Sequence, residues 1–410
     1  MFLLHLFLPK FVKFIATIGS MQQNRSHIIE RKRSDPFILV PHLAPVGNED
    51  GTLQALNRNI PISVQHYLRD KGIMRFLADT SALLAATTLS ATKPSLLKNF
   101  LDASKKMTSY KYGDAPCQNF QVFDFPENLV PCNGPTVLIL VHGGAWGSGK
   151  PWMYRLMASG MATCLNATSA IVLQYPLYPE ALIAQQAESI YDALRYIRWN
   201  SGKCGIPSDS TYVISGHSSG ANICALALLR CVQNEEKLVD SFIALNGVYD
   251  IEKHYHFEKA RGAHEFSPMS VAAISPDRWW ESSPSLLFQE VSVESVTRFW
   301  PDTFILHGLS DTTVPFSSSY EFAEKLLHKG AAVLTCFPES LAHADCIFEF
   351  TVDAQSASRD AVKKYFTDFS ARQKESTRTF SRVDSTPKVE DDGNPLSTHV
   401  LNDVILRSNL

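Results

Sequence analysis

The sequence predicts an α/β fold in which a mainly parallel central sheet carries helices on both faces. Short runs of β-branched and aliphatic residues alternate along the chain with longer helical patterns, and this alternation is typical of parallel strands joined by helical crossovers. Two glycine-containing motifs, at 142–146 and 216–220, each follow directly after one of the apolar runs. Both motifs are therefore predicted to lie where a strand ends.

The individual elements follow from these patterns. We predict strands at 136–141, 169–174, 211–215, 240–245, 303–306 and 332–336. We predict helices at 181–199, 221–232 and 317–329. The segment 251–300 lies between two predicted strands and is longer than a simple crossover. We therefore expect it to form a helical lid over the active site.

Composition separates one catalytic domain from the two ends of the chain. The 410 residues, of which 45% are apolar, can supply the core of one large domain, predicted at 61–372. Residues 1–60 are predicted to form an extension. Residues 373–410 are predicted to be a disordered polar tail, because this segment lacks the apolar stripe that would offset the entropy of ordering it.

Ser218 is the predicted nucleophile. It stands at the centre of Gly-His-Ser-Ser-Gly at 216–220, between a β-rich run and a helix-forming run. A sharp strand-to-helix turn of this kind exposes the serine hydroxyl and needs small flanking residues. The positive end of the following helix faces the charge that develops in the reaction. Ser219 is the alternative nucleophile.

The motif His-Gly-Gly-Ala-Trp at 142–146 is predicted to be an oxyanion loop, because glycines let backbone N–H groups approach a substrate closely. The predicted donors are the N–H groups of Gly143, Gly144, Ala145 and Ser219. Trp146 directly follows the loop, so we predict that its side chain lines the substrate pocket. His142 is expected to brace the loop.

An acid and a histidine that follow the serine in the chain order Ser, Asp, His would complete a hydrolytic triad. Asp311 follows the predicted strand 303–306, and His343 follows the predicted strand 332–336. His343 would take the serine proton and return it to the leaving group, while Asp311 orients the imidazole. The weaker alternatives are Asp250 and Asp345 as the acid and His142 and His217 as the base, and His307 is interpreted as a packed strand-end histidine.

Charge and cysteine usage exclude several classes of function. The 38 basic and 41 acidic residues give a formal net charge of −3, which offers no basic footprint for nucleic acid. The expected partner is a small-molecule substrate and not a nucleic acid. The eight cysteines are scattered without a Cys-x-x-Cys pair, so we expect reduced thiols. His254 and His256 lack an acid or cysteine partner at ligand-like spacing, so we expect no metal site. A serine-based triad requires no organic cofactor, so we expect none.

The N-terminus has the composition of a targeting or anchoring segment. Residues 1–29 contain no Asp or Glu but carry Lys10, Lys13 and Arg25 beside apolar clusters. The apolar run 73–91 contains charged residues, so it is predicted to pack on the domain rather than to cross a membrane. We expect an intracellular, cytoplasmic protein. Association with the endoplasmic reticulum membrane through the N-terminus and a mitochondrial location are the alternatives.

Taken together, these motifs resemble the α/β-hydrolases of the lipase and esterase type, and within them the isoprenylcysteine methylesterase and kynurenine formamidase group. That group combines a His-Gly-Gly-x-Trp loop with a Gly-x-Ser-x-Gly-Ala elbow, here at 142–146 and 216–221. The resemblance covers residues 109–371, and the run 261–269 looks more like the methylesterase branch. Asn222 is a departure, because many members of the group carry histidine there.

The residues and the resemblance lead to two classes of function. The first is hydrolysis of a carboxylic ester through an acyl-enzyme on Ser218. A prenylcysteine methyl ester is the substrate that the resemblance implies, and N-formylkynurenine is the alternative. The second class is a binding protein that keeps the fold without catalysis. The presence of Ser218, Asp311 and His343 favours the enzyme.

Overall fold

The computed structural model describes residues 94–105, 107–124, 134–264, 267–351 and 355–383. The predicted extension 1–60, the apolar run 73–91 and the end of the chain from residue 384 lie outside the described residues. Within the described ranges, no helix combines the length and the apolar character needed to cross a membrane.

The described residues build an eight-stranded sheet with the order β1-β2-β4-β3-β5-β6-β7-β8. The strands are β1 Met107–Lys111, β2 Asn119–Asp124, β3 Thr136–Val141, β4 Ser169–Gln174, β5 Thr211–His217, β6 Ser241–Leu245, β7 Asp302–Leu306 and β8 Val333–Cys336. From β4 to β8 the neighbours pair in parallel, whereas β2 runs antiparallel to both β1 and β4. The predicted mainly parallel sheet is confirmed, with an antiparallel edge that the patterns did not predict.

Helices cover both faces of the sheet, as predicted. They are α1 Pro94–Lys105, α2 Pro151–Cys164, α3 Ile183–Trp199, α4 Ser219–Gln233, α5 Ile251–Ala260, α6 Met269–Ala272, α7 Pro284–Leu287, α8 Val293–Phe299, α9 Ser317–His328, α10 Asp345–Thr351 and α11 Ala357–Val383. Helices α3, α4 and α9 contribute to the core on one face, and α2, α10 and α11 contribute to the core on the other.

The two cores follow from the alternation of side chains along each strand. In β3, Val137, Ile139 and Val141 belong to one core, whereas Leu138 and Leu140 belong to the other. Successive side chains of a strand point to opposite faces, so a strand that is buried on both faces reads as a continuous apolar run. This is why β3 was recognisable from the sequence.

The segment between β6 and β7 is the helical excursion that we expected. It contains α5 to α8 together with 3₁₀ turns at Pro276–Ser282 and Phe288–Glu290, and residues 265–266 within it lie outside the described ranges. Trp279 and Phe288 are buried in the core, while Trp280 is exposed. Several aromatics of this segment therefore hold it onto the domain.

The last helix differs from the sequence prediction. We expected disorder from residue 373, but α11 continues to Val383. Its first part is anchored by buried Val362, Tyr365 and Phe369. Once a helix is nucleated by such packing, each further residue adds one backbone hydrogen bond, so a polar segment can extend it.

Strand register brings the functional loops together. Val141 of β3 pairs with Gly216 of β5, and Leu245 of β6 pairs with both His217 of β5 and Leu306 of β7. The carboxyl ends of these neighbouring strands thus meet at one edge of the sheet, which is where ligands bind in open α/β sheets. The loops after β3, β5, β6, β7 and β8 converge at this edge.

Candidate active site

Ser218 lies in the turn between β5 and α4. Its backbone has φ 57° and ψ −125°, a conformation that costs free energy for a residue with a side chain and is found at functional turns. Its N–H donates to the carbonyl oxygen of Leu245 at 2.9 Å, which ties the turn to β6. A Cβ at Gly220 would lie 2.5 Å from the Val141 carbonyl oxygen, so only glycine allows the helix to approach β3 this closely.

The structure brings together the three side chains predicted as a triad. His343 Nε2 lies 3.0 Å from Ser218 Oγ, and His343 Nδ1 lies 2.7 Å from Asp311 Oδ2. Because an ionised carboxylate only accepts hydrogen bonds, Nδ1 carries the ring proton and Nε2 is left to accept the serine proton. The imidazole is therefore oriented to act as a general base.

Asp311 is held as an anion by several donors. Its Oδ1 accepts from the N–H groups of Thr313 at 2.8 Å and Val314 at 2.9 Å, and its Oδ2 accepts from Asn246 Nδ2 at 2.6 Å. Burial alone would raise the pKa of this carboxyl, but hydrogen bonds from His307, His343 and Asn246 hold the pKa well below its usual range. Asp311 is therefore ionised and can stabilise the imidazolium form of His343.

The alternative acids and the alternative nucleophile have other contacts. Asp250 caps α5, where its carboxylate accepts from the N–H of Lys253 at 3.1 Å. Asp345 accepts from the N–H of Ala342 at 2.7 Å. Ser219 Oγ is buried and has no hydrogen-bond partner among the described residues. Among the residues that the structure describes, only Ser218 has its hydroxyl within hydrogen-bond distance of His343.

The oxyanion loop after β3 has an unusual backbone. Gly144, Ala145 and Trp146 all have positive φ, at 135°, 49° and 60°. Within the described residues the N–H groups of Gly144, Ala145 and Ser219 meet no protein acceptor, which leaves them available for an oxyanion. The prediction that Gly143 is an oxyanion donor is wrong, because its N–H already donates to the Tyr154 hydroxyl at 3.1 Å.

Trp146 also departs from its predicted role. Its side chain is buried in the core rather than placed in an open pocket. The indole Nε1 donates to Asn222 Oδ1 at 3.0 Å, and Asn222 Nδ2 donates to the carbonyl oxygen of Ser282 at 3.0 Å. Trp146 and Asn222 therefore connect the oxyanion loop, α4 and the lid. The buried indole needs a hydrogen-bond partner, and Asn222 supplies it.

Sequence reasoning missed several residues around the triad. His307, which was interpreted as a packed histidine, has Nε2 3.4 Å from Asp311 Oδ2 and 3.0 Å from the Val314 carbonyl oxygen. Its position four residues before the acid was the available signal. Asn246 directly follows β6 and has φ 48°. Its position after a buried strand was the signal in the sequence that could have indicated a site residue. Nothing in the sequence marked Tyr154.

The other histidines have structural contacts. His142, stacked on Tyr175 with ring centroids 4.5 Å apart, has Nδ1 3.0 Å from the Gly143 carbonyl oxygen, a position that fits a brace. In α5, His254 is buried near Glu258, whereas His256 is exposed near Glu252. The two histidines lie two positions apart on a helix, so they face different directions and do not form a pair.

This arrangement can carry out acyl transfer. A serine hydroxyl faces an imidazole that is oriented by an ionised carboxylate, and backbone N–H groups without acceptors lie in the loops on either side of it. Such a site activates the serine and stabilises the negative charge of a tetrahedral intermediate. Only the tertiary structure could establish these distances.

Comparison with known proteins finds relatives that are named as a methylesterase, an esterase and a formamidase. The chain is 24% identical over 366 residues to a protein of Oryza sativa subsp. japonica named probable isoprenylcysteine alpha-carbonyl methylesterase, covering 82% of this chain and 84% of the rice protein. It is 29% identical over 235 residues to the esterase LipC of Mycobacterium tuberculosis, covering 52% and 53%. It is 22% identical over 232 residues to the kynurenine formamidase of Drosophila melanogaster, covering 55% and 72%.

Family and structural comparisons agree on the fold. A family model described as BD-FAE matches residues 131–326. The crystal structure of carboxyl esterase 2 from the mycorrhizal fungus Tuber melanosporum superimposes with a TM-score of 0.52 at 17% identity, covering 65% of this chain and 86% of that chain. At this identity the likeness is one of fold. The sheet order, the elbow and these relatives lead to one conclusion: the chain has the α/β-hydrolase fold.

Proposed function

We propose that this carboxylic ester hydrolase takes the methyl ester of a prenylated cysteine as its substrate. The observation that carries ester hydrolysis is the hydrogen-bond chain from Ser218 through His343 to Asp311. The rice relative named as a methylesterase supports the proposed prenylcysteine methyl ester substrate, because its match extends over 82% of this chain.

The lid supports the same proposal. Pro268 of the methylesterase-like run 261–269 packs against the residue that follows the oxyanion loop, since a Cβ at Gly147 would lie 2.8 Å from Pro268 Cγ. We infer that this run contributes to the pocket that holds the acyl group. Contacts of this kind determine which ester an enzyme prefers, because differences of about 1–3 kcal/mol in pocket contacts change selectivity by 10- to 200-fold.

Acylation begins when Ser218 Oγ attacks the ester carbonyl carbon while His343 Nε2 removes the hydroxyl proton. The carbonyl oxygen becomes an oxyanion, which the N–H groups of Gly144, Ala145 and Ser219 stabilise. Asp311 stabilises the imidazolium that forms. When the tetrahedral intermediate collapses, the bond to the alkoxy oxygen breaks and His343 donates its proton to the departing alcohol.

Deacylation repeats these steps with water. His343 removes a proton from the water as its oxygen attacks the acyl carbon, and the same N–H groups receive the second oxyanion. Collapse breaks the bond to Ser218 Oγ, which takes the proton back from His343. The products are the carboxylic acid and the alcohol, and the enzyme is regenerated.

Formamide hydrolysis is the second candidate activity. The Drosophila relative is named a kynurenine formamidase, and cleavage of a formyl C–N bond would use the same serine, base and oxyanion donors. The leaving group would then be an aromatic amine. A binding protein without catalysis is the candidate from another class, and the 3.0 Å approach of His343 Nε2 to Ser218 Oγ argues against it.

Two assays on the purified protein test these candidates. A fluorophosphonate probe should label wild-type protein but not Ser218→Ala, and absence of wild-type labelling would support the binding protein. The second assay compares kcat/KM for farnesylcysteine methyl ester, N-formylkynurenine and a short p-nitrophenyl ester. We expect the prenylated ester to be preferred over both. Dominant hydrolysis of N-formylkynurenine would establish the formamidase instead.

A further inference from the structure

We infer that Tyr154 and His217 form a positioning bridge that locks the oxyanion loop to the loop carrying His343. Neither side chain takes part in the acyl-transfer steps described above. The bridge joins the backbone of Gly143 at one end to the backbone of His343 at the other. This inference rests on the proposed esterase activity of the same site, because its consequence is the geometry of that site.

The bridge consists of three hydrogen bonds in sequence. The Gly143 N–H donates to the Tyr154 hydroxyl oxygen at 3.1 Å. The same hydroxyl lies 3.1 Å from His217 Nδ1, and His217 Nε2 lies 2.9 Å from the carbonyl oxygen of His343. Two side chains thus connect backbone groups of the loops after β3 and β8, with His217 itself at the end of β5.

Chemistry assigns a direction to every bond in the bridge. A carbonyl oxygen can only accept, so His217 Nε2 carries the ring proton and Nδ1 accepts. The Tyr154 O–H must then donate to Nδ1, and its oxygen accepts from the Gly143 N–H. Every donor has one acceptor, so no proton position is left open. A fully satisfied buried network of this kind favours one geometry over others.

Burial makes the bridge rigid. Tyr154 and His217 are both buried, and a Cβ at Gly143 would lie 2.6 Å from the His217 carbonyl oxygen. Burial, and then the nearby His343, lower the pKa of His217 to about 3, so the ring is neutral at physiological pH. Burial also raises the pKa of the Tyr154 hydroxyl, which therefore keeps its proton.

The bridge affects both halves of the catalytic machinery. Because the Gly143 N–H donates to Tyr154, it is not available to an oxyanion. The same hydrogen bond fixes the peptide group before Gly143, which restricts the orientation of the N–H groups of Gly144 and Ala145 that follow. At the other end the bridge fixes the peptide of His343, whose ring must reach both Ser218 and Asp311. A small displacement of either loop lengthens hydrogen bonds that matter in the transition state.

The principal test is Tyr154→Phe, with Tyr365→Phe as the matched control. Tyr365 is also a buried tyrosine, and its hydroxyl bonds with Ser241 Oγ at 2.8 Å and the Asp302 carbonyl oxygen at 3.1 Å, away from the triad. The first readout is the rate constant for phosphonylation of Ser218 by a fluorophosphonate. The second is kcat and KM for p-nitrophenyl acetate.

We expect Tyr154→Phe to lower the phosphonylation rate and kcat by about 10- to 100-fold, the loss typical of misplaced catalytic groups, with KM little changed. Tyr365→Phe should react like wild type even if it unfolds at a lower temperature. Wild-type rates in Tyr154→Phe, or equal losses in both variants, would overturn the bridge.

A second variant tests the other end and covers the case in which Tyr154→Phe does not fold. His217→Asn keeps an acceptor near Tyr154 but loses the bond to His343. We expect a loss of similar size, and no further loss in the double variant, because residues that act as a unit are not additive. Full activity in His217→Asn would contradict the inference.

The outcomes separate the inference from the proposed function. Phosphonylation requires an activated serine but no natural substrate. If wild type is labelled but hydrolyses no ester, the proposed function fails and the labelling rates of the variants still decide the bridge. If wild type hydrolyses esters and Tyr154→Phe does so equally well, the bridge alone fails. A wild-type protein that is not labelled overturns both.

Discussion

His307 Nε2 lies 3.4 Å from Asp311 Oδ2, the same carboxylate oxygen that His343 Nδ1 approaches at 2.7 Å. The acid of the triad therefore faces two histidines. His307 Nε2 also lies 3.0 Å from the Val314 carbonyl oxygen, and its Nδ1 lies 2.6 Å from Ser319 Oγ. Because Nε2 faces only acceptors, it carries the ring proton, and His307 anchors Asp311 without facing Ser218.

We expect His307→Phe to lower kcat/KM by roughly tenfold. A hydrogen bond to a charged group contributes about 1.5–3 kcal/mol, and about 1.4 kcal/mol in transition-state stabilisation corresponds to a factor of ten. Steady-state kinetics with a p-nitrophenyl ester measure the effect. His328→Phe is the control, because His328 is exposed at the end of α9. Equal activity of both variants would show that the other donors suffice to hold Asp311.

Ser218→Ala should reduce turnover by several orders of magnitude, because the members of a triad act as a unit. Labelling by a fluorophosphonate should disappear as well. Intact-protein mass spectrometry after incubation with the probe detects the adduct directly. The alternative nucleophile is tested by Ser219→Ala, which removes a buried hydroxyl that has no partner among the described residues. An adduct lost in Ser219→Ala and kept in Ser218→Ala would reassign the nucleophile.

Trp146→Phe should lower stability more than it changes substrate affinity. The substitution leaves Asn222 Oδ1 without its donor, and an unpaired buried polar atom costs about 1–3 kcal/mol. Thermal unfolding should show a lower Tm, while KM for short and long p-nitrophenyl esters stays close to the wild-type value, as expected of a residue outside the pocket. A large change in KM at an unaltered Tm would restore the pocket role predicted from the sequence.

Stability should fall as the pH drops from about 7 to about 5. Burial lowers the pKa of His217 to about 3, so between that value and the ordinary value near 6.5 the unfolded chain binds a proton that the folded protein does not. Folding is therefore disfavoured as the pH falls through this range, by roughly 2 kcal/mol at about pH 5. Urea unfolding across the range measures this loss.

Replacing His217 by Asn should remove most of that pH dependence. The depressed pKa of Asp311 does not interfere, because its contribution to stability is present above the unfolded pKa and is lost only under more acidic conditions. His256→Gln is the control, since this side chain is exposed. An unchanged pH dependence in His217→Asn would mean that other groups cause the loss.

The sequence was sufficient for features that depend on contiguous residues. The apolar run at 136–141 is buried on both faces of the sheet, so it could be recognised without knowing its neighbours. The turn at Ser218 requires small residues within two positions on either side, and that requirement is visible in the motif itself. The order of Ser218, Asp311 and His343 follows from the order of the strands that end at the site.

The edge strands and the last helix were less predictable. β1 is short, and only Met107 and Tyr110 within it are partly buried, so it lacks the strong apolar pattern of a central strand. Helix α11 continues into a polar segment because its first turns are anchored by buried residues such as Tyr365 and Phe369. Local composition records neither the pairing of an edge strand nor the anchoring of a helix.

Contacts between distant residues were decided by the tertiary structure alone. Tyr154 and His217 are separated by 63 positions, and Asn246 and Asp311 by 65, so no local pattern links them. The Tyr154 hydroxyl accepts a hydrogen bond from the Gly143 N–H, which the motif by itself assigned to the oxyanion site. Asn222 accepts a hydrogen bond from the indole of Trp146, whose side chain is buried in the core and not in the pocket. A motif determines which groups the backbone can present at a turn. Which of these groups remain free for substrate depends on the side chains that packing brings against them, because a buried donor or acceptor bonds with the nearest suitable partner.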